Sequence, residues 1–187
     1  MKRIKNEKGM MTVEACMVLP LFMMLLLFFN GLIIMFSGQQ MISHALLQSS
    51  NSLSMDAYAN DIIGENDFTS SKNLVNKIYA SVAASTPSPK YFTSDQKWYL
   101  DGDKIKKEAR NRFIGYFSGG DEDYVKDMLD TIGVVGGLDG ITFEGEVDGN
   151  NDLKITVKYK QKFLFDINGL VTFDRKINIV THMWHKE

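Results

Sequence analysis

Between Glu14 and Asp56 there is no Asp, Glu, Lys or Arg, and Glu14 sits at the mouth of an apolar run. An ionised carboxylate carried into hydrocarbon costs on the order of 2.5–3.5 kcal/mol or more, so an acid in that position is by default a functional group that needs a partner. At headgroup depth the same group costs little, and position alone leaves both readings open. Elsewhere the chemistry-bearing patterns resolve into ordinary structure. His182-x-x-His185 has the spacing of a metal pair on a helix, but in a strand the two side chains face opposite ways. Gly133-Val134-Val135-Gly136-Gly137 follows a helical pattern and lacks the Lys-Ser/Thr of a phosphate cradle, which makes it a loop. Asp101-Gly102-Asp103 and Asp121-Glu122-Asp123 could ligate calcium weakly, yet helix capping explains both. Lys154, Lys158, Lys160 and Lys162 could grip an acidic partner, but Glu144 and Glu146 beside them make a solvated sheet face the simpler reading. Cys16 is the single cysteine and reads as a packing residue, so no Cys/His or Ser/His/Asp set can be assembled. These residues point away from an enzyme and imply no catalytic group, cofactor or metal.

The element that must position Glu14 is a membrane helix. The chain has 187 residues and a formal net charge of -2, without the basic excess of a general nucleic-acid binder. Its charge is unevenly placed: Lys2, Arg3, Lys5 and Lys8 against Glu7 give +3 over residues 1–9, leaving -5 for the remainder. Ala15–Phe36 is apolar except for Pro20, Asn30 and Gly31. As a helix it spans roughly 33 Å, matching a hydrocarbon core of about 30 Å. A cleaved secretory signal has a shorter apolar core and a small-x-small site, and Ser37-Gly38-Gln39 is a poor one. A lipoprotein signal would place its apolar run before the modified cysteine, whereas only charged and mixed residues precede Cys16. The expected arrangement is a retained single-pass anchor in the cell membrane. The basic N-terminus is then cytoplasmic and the body extracytoplasmic.

The stretch Lys8-Gly9-Met10-Met11-Thr12-Val13-Glu14-Ala15-Cys16-Met17-Val18-Leu19-Pro20-Leu21-Phe22 resembles the type IV pilin superfamily, most closely the TadE-like pseudopilins of tight-adherence (Flp-type) pili. The likeness fades by about Tyr58 and covers less than a third of the chain. It implies that a membrane-embedded prepilin peptidase cuts after Gly9, that Met10 becomes the mature N-terminus, and that Glu14 is residue +5 of the mature chain. Val18-Leu19-Pro20 corresponds to the family's Val-Leu-Pro. Met10 stands where type IVa pilins commonly carry Phe, and Cys16 replaces a small apolar residue. The implied partners are membrane lipid, the prepilin peptidase, other pilin or pseudopilin subunits and the pilus assembly platform. By family analogy the size of the head suggests a minor subunit that helps assemble an adhesive cell-surface filament. The alternative is an unprocessed, single-pass anchored module that binds or senses a ligand outside the membrane.

Cleavage at Gly9 would create an α-ammonium at Met10, with an ordinary pKa of about 7.7–8.0. Among packed apolar helices that charge needs a partner, as does Glu14. Pairing the Glu14 of one subunit with the Met10 amine of a neighbour would neutralise both and set axial register. Such pairs add little net stability, but leaving one charge buried and uncompensated costs about 3–5 kcal/mol. Pro20 removes a helical N–H and strains the preceding turn, a second candidate assembly residue if the helix must loosen between bilayer and filament.

The rest of the chain predicts an α+β fold: a long transmembrane and amphipathic helix packed on a three-stranded antiparallel meander, with additional short helices, as in pilin heads. The divisions are a leader over 1–9, a transmembrane helix over 10–36, an amphipathic extension over 37–60 and a head over 61–187. Met41, Ile42, Ala45, Leu46, Ser49, Leu53 and Ala57 recur at three- and four-residue spacing as the buried stripe of the extension. Further helices are expected over 70–84, over about 103–117 with Ile105, Ala109, Phe113 and Phe117 inward, and from an Asp121 N-cap to Gly133. Apolar alternation then marks three strands, beginning at Ile141, Leu153 and Val171. Pairing Val147 with Leu153 sets Glu146 opposite Lys154, while a two-residue shift would oppose Glu146 to Asp152. A two-residue turn at Asn168-Gly169 would face Phe165 against Thr172, so the second hairpin needs a bulge or a longer loop.

Overall fold

A computed structural model describes residues 4–63, 89–92, 94, 97–163 and 171–183, with side chains from Thr12 to Tyr58 in the first helix. Helix α1 runs unbroken over Ile4–Ile63, 60 residues with Pro20 inside it. At about 1.5 Å per residue it is roughly 90 Å long. Thr12 to Asn30 are exposed on every side, and from Gly31 onward one face is buried. The rest of the described fold is a short α2 (Pro89–Phe92), a 3-10 turn Trp98–Leu100, α3 (Gly102–Ser118), α4 (Glu122–Thr131), a 3-10 turn Gly137–Gly140, and strands β1 (Thr142–Val147), β2 (Asp152–Lys162) and β3 (Thr172–His182). The helix expected over 70–84 lies outside the described residues.

The starts of two helices are fixed by the aspartates the sequence pointed to. The Asp101 carboxylate accepts from the Asp103 N–H and starts α3, and Asp121 accepts from the Tyr124 N–H and starts α4. Gly119 ends α3 in a left-handed conformation. Both acidic clusters therefore serve as caps.

The strands form an antiparallel meander in the order β1-β2-β3. Val147 faces Leu153 and Glu146 faces Lys154, the register that charge favoured. Asp148-Gly149-Asn150-Asn151 makes the first turn, with Asn151 at φ 61, a conformation Asn tolerates better than most residues. In the second pairing Lys162 faces Thr172, so the register of a two-residue turn at Asn168-Gly169, which needs Phe165 opposite Thr172, is not used. The connecting residues 164–170 lie outside the described residues.

One sheet face is covered by two helices side by side, α3 over β1 and α1 over β3 and β2. Phe113 of α3 stacks between Phe117 and Phe143, with ring centroids 5.3 and 5.5 Å away. Ile42, Leu46 and Leu53 of α1 join Leu153, Ile155 and Val157 of β2 in the same core. Two expectations about burial need correction. Met41 belongs to the exposed face of α1, because a stripe through Ile42, Ala45 and Ser49 leaves it on the far side. Phe173 and Val171, which continue the apolar alternation, are also exposed, at the loop end of the edge strand β3.

Candidate functional site

The candidate site is α1 itself: an apolar half that carries Glu14 and Pro20, and a second half that the head grips at three levels. The lowest grip lies just beyond Asn30. A Cβ added at Gly38 would lie only 2.8 Å from the Ile132 Cβ, so the missing side chain is what lets the end of α4 approach α1. The fully buried Gln161 of β2 donates to the Ile132 carbonyl at 2.9 Å and the Met35 carbonyl at 3.3 Å, tying helix, loop and sheet together. Gly133, at φ +83, lies so close to the Lys162 carbonyl that a Cβ there would fall 2.6 Å from it. Its neighbours bond to β2 in a short bridge, Val134 opposite Gln161. The glycine-containing segment 133–137 is thus a loop that seals the β2 end against α1.

The middle grip is made by serines. The Ser50 and Thr181 hydroxyls are 2.5 Å apart, and the Ser54 hydroxyl donates to the His182 carbonyl at 2.6 Å. The upper grip is a buried ion pair between Arg112 of α3 and Asp56 of α1. Arg112 also donates to the Ser52 and Ser94 hydroxyls, both at 2.8 Å, and Ser94 donates to Asp56 at 2.5 Å. Burial pushes the Arg112 guanidinium down to about 10, with Tyr116 opposing that shift, so the group is cationic at neutral pH. Nearer the surface, the Tyr91 hydroxyl donates to Glu122 at 2.6 Å and is the main reason that carboxylate is held below its usual range.

The residues singled out in the sequence stay together on the other half of α1. Lys8, Gly9 and Met10 fall within the helical span, and their side chains lie outside the described residues. Glu14 and Pro20 are exposed, and neither is enclosed by the head among the described residues. No known protein family, curated protein or solved structure matches the chain. Among the described residues, no cluster of three or more His, Cys, Asp or Glu could hold a metal. His182 instead meets Asp152 across the strand pair, with Nδ1 2.7 Å from a carboxylate oxygen.

Sequence reasoning missed Arg112 and Asp56 as a pair. The signal was present: Arg112 falls three residues after Ala109, and Asp56 three after Leu53, each placing a charge within an apolar stripe. Two opposite charges on two buried stripes are a pairing to look for.

Proposed function

We propose that this chain is a pseudopilin-like minor subunit, cut after Gly9 by a prepilin peptidase and taken into a tight-adherence-type filament. The observation that carries the reading is the division of α1. Apart from Thr12, Glu14 and Asn30, the stretch from Thr12 to Asn30 is apolar, and it is exposed all round, about 28 Å of helix, which fits a bilayer core. The head holds only one face of the part beyond. The opposite face runs through Ile33, Phe36, Gln40, His44, Leu47 and Asn51 without an acidic, lysine or arginine side chain. A rod that is greasy at one end and uncharged along its free face is suited to leave lipid and pack against like rods. Glu14 then sits four residues beyond the new terminus, where its carboxylate pairs with the Met10 amine of a neighbour and sets the stagger. Pro20 supplies a weak point in the helix for that transfer.

The test is intact mass of membrane-extracted protein from cells co-expressing an active prepilin peptidase. Loss of residues 1–9 in the native chain, and retention in Gly9→Leu, is the expected result. Full-length mass with an active peptidase would overturn the proposal and leave an anchored extracytoplasmic module.

A further inference from the structure

The head also presents a surface to the bilayer. Along α1, the sheet lies with the β2–β3 end toward the apolar half: Phe163 packs on Phe28 with ring centroids 5.5 Å apart, Gln161 reaches Met35, and Thr181 reaches Ser50. Phe28 belongs to the stretch that is exposed all round. If that stretch spans the bilayer, as read above, the end of β2 reaches the boundary of the lipid.

Charge on the sheet is sorted along the same axis. Among the described residues, towards the membrane end lie Lys160, Lys162, Arg175 and Lys176 against Asp174, giving +4 - 1 = +3. Lys158 is set aside because Glu144 holds it at 2.6 Å. Towards the far end, Lys154 is paired with Glu146 at 2.9 Å and Asp152 meets His182 at 2.7 Å, which leaves Asp148 and no basic excess among the described residues. Lys160, Lys162 and Lys176 are exposed, and among the described residues none of the three is held in an ion pair. Lys176 is directly opposite Lys158 in the sheet, and Glu144, which holds Lys158, also attracts Lys176 from beyond ion-pair distance. A hollow of about 500 Å³ opens between Thr142, Lys158, Lys160, Asp174 and Lys176. Below it Val171 and Phe173 are exposed at the end of the sheet.

We propose that this end of the head docks on the anionic lipid surface of the leaflet from which α1 emerges. Lys160, Lys162 and Lys176 meet headgroup phosphates, while Phe163, Val171 and Phe173 face the acyl boundary. Each cation near an anionic surface strengthens association by roughly fivefold, so three unpaired lysines suffice to hold a tethered head down. The inference rests on α1 as a bilayer span and is independent of cleavage at Gly9.

The full chain, with Cys16→Ser, is placed in vesicles of phosphatidylcholine alone or with about 30% phosphatidylglycerol, carrying a spin-labelled headgroup quencher. A fluorophore is attached at Thr172→Cys, at Gly149→Cys on the distal turn, or at Phe22→Cys in α1. The anionic lipid should raise quenching at position 172 by at least about twofold and leave position 149 unchanged. The triple variant Lys160→Gln/Lys162→Gln/Lys176→Gln should lose that increment, as should the native lysines in half-molar salt. Equal quenching at 172 in both vesicles, or an increment that survives the triple variant, would overturn the docking. A deep, acyl-chain quencher that reaches position 22 shows that α1 is inserted in those same samples. If it does not reach position 22, the span is wrong and the docking falls with it.

Discussion

At the scale of single residues, Arg112 and Asp56 carry the heaviest electrostatic commitment among the described residues. Both are out of water, and their mutual attraction is repaid only because Ser52 and Ser94 complete the geometry. Removing one partner strands the other, so Asp56→Asn or Arg112→Met should each destabilise by about 3–5 kcal/mol. Asp56→Leu combined with Arg112→Met should recover most of that loss. Urea unfolding of the detergent-solubilised chain, run as a double-mutant cycle, measures it, and additive single and double effects would show that the pair is not coupled. These residues also mark where sequence reading stopped. Periodicity placed Ala109 and Phe113 inward on α3, but a charge in the same stripe resembles a helix-edge residue until its partner is seen across space. Glu146 and Lys154 were easier, because their partner choice follows from a two-residue repeat along one hairpin.

At the scale of elements, the close approach of α1 and the end of α4 depends on a missing side chain. Gly38→Val places branched carbons where Ile132 already sits and should cost about 1–3 kcal/mol. Adding Ile132→Ala should relieve part of that cost, whereas Ile132→Ala alone should only destabilise. Thermal unfolding of the three variants in the same detergent tests the contact, and a neutral Gly38→Val would mean the two segments part readily. The helices over 102–118 and 122–131 were legible because their aspartate caps and apolar spacing agreed. The second hairpin was legible only in part: the mismatch of Phe165 with Thr172 argued against a two-residue turn at Asn168-Gly169, but the alignment itself is fixed only by the pairing of Lys162 with Thr172. Met41 was misplaced for a related reason: in an almost uncharged helix, apolar character alone does not distinguish the face on the sheet from the face that is open.

At the scale of the molecule, Glu14 is exposed on α1 and, among the described residues, forms no hydrogen bond or ion pair with the head. Glu14→Ala should therefore leave folding and membrane insertion intact while removing the chain from the filament. Quantitative blotting of membrane and sheared-filament fractions decides it, and wild-type amounts of the variant in the sheared fraction would refute the assigned role. Of the whole layout, the long apolar helix and the α+β body were readable from charge gaps and from the change of period. The grips at Met35, Ser50 and Asp56 were not, because each joins residues more than fifty positions apart. Those grips have a mechanical corollary. With Met35, Ser50, Ser54 and Asp56 all pinned, the body cannot swivel on its stalk, so any torque applied to the apolar half of α1 swings the head with it like a key bit on its shaft.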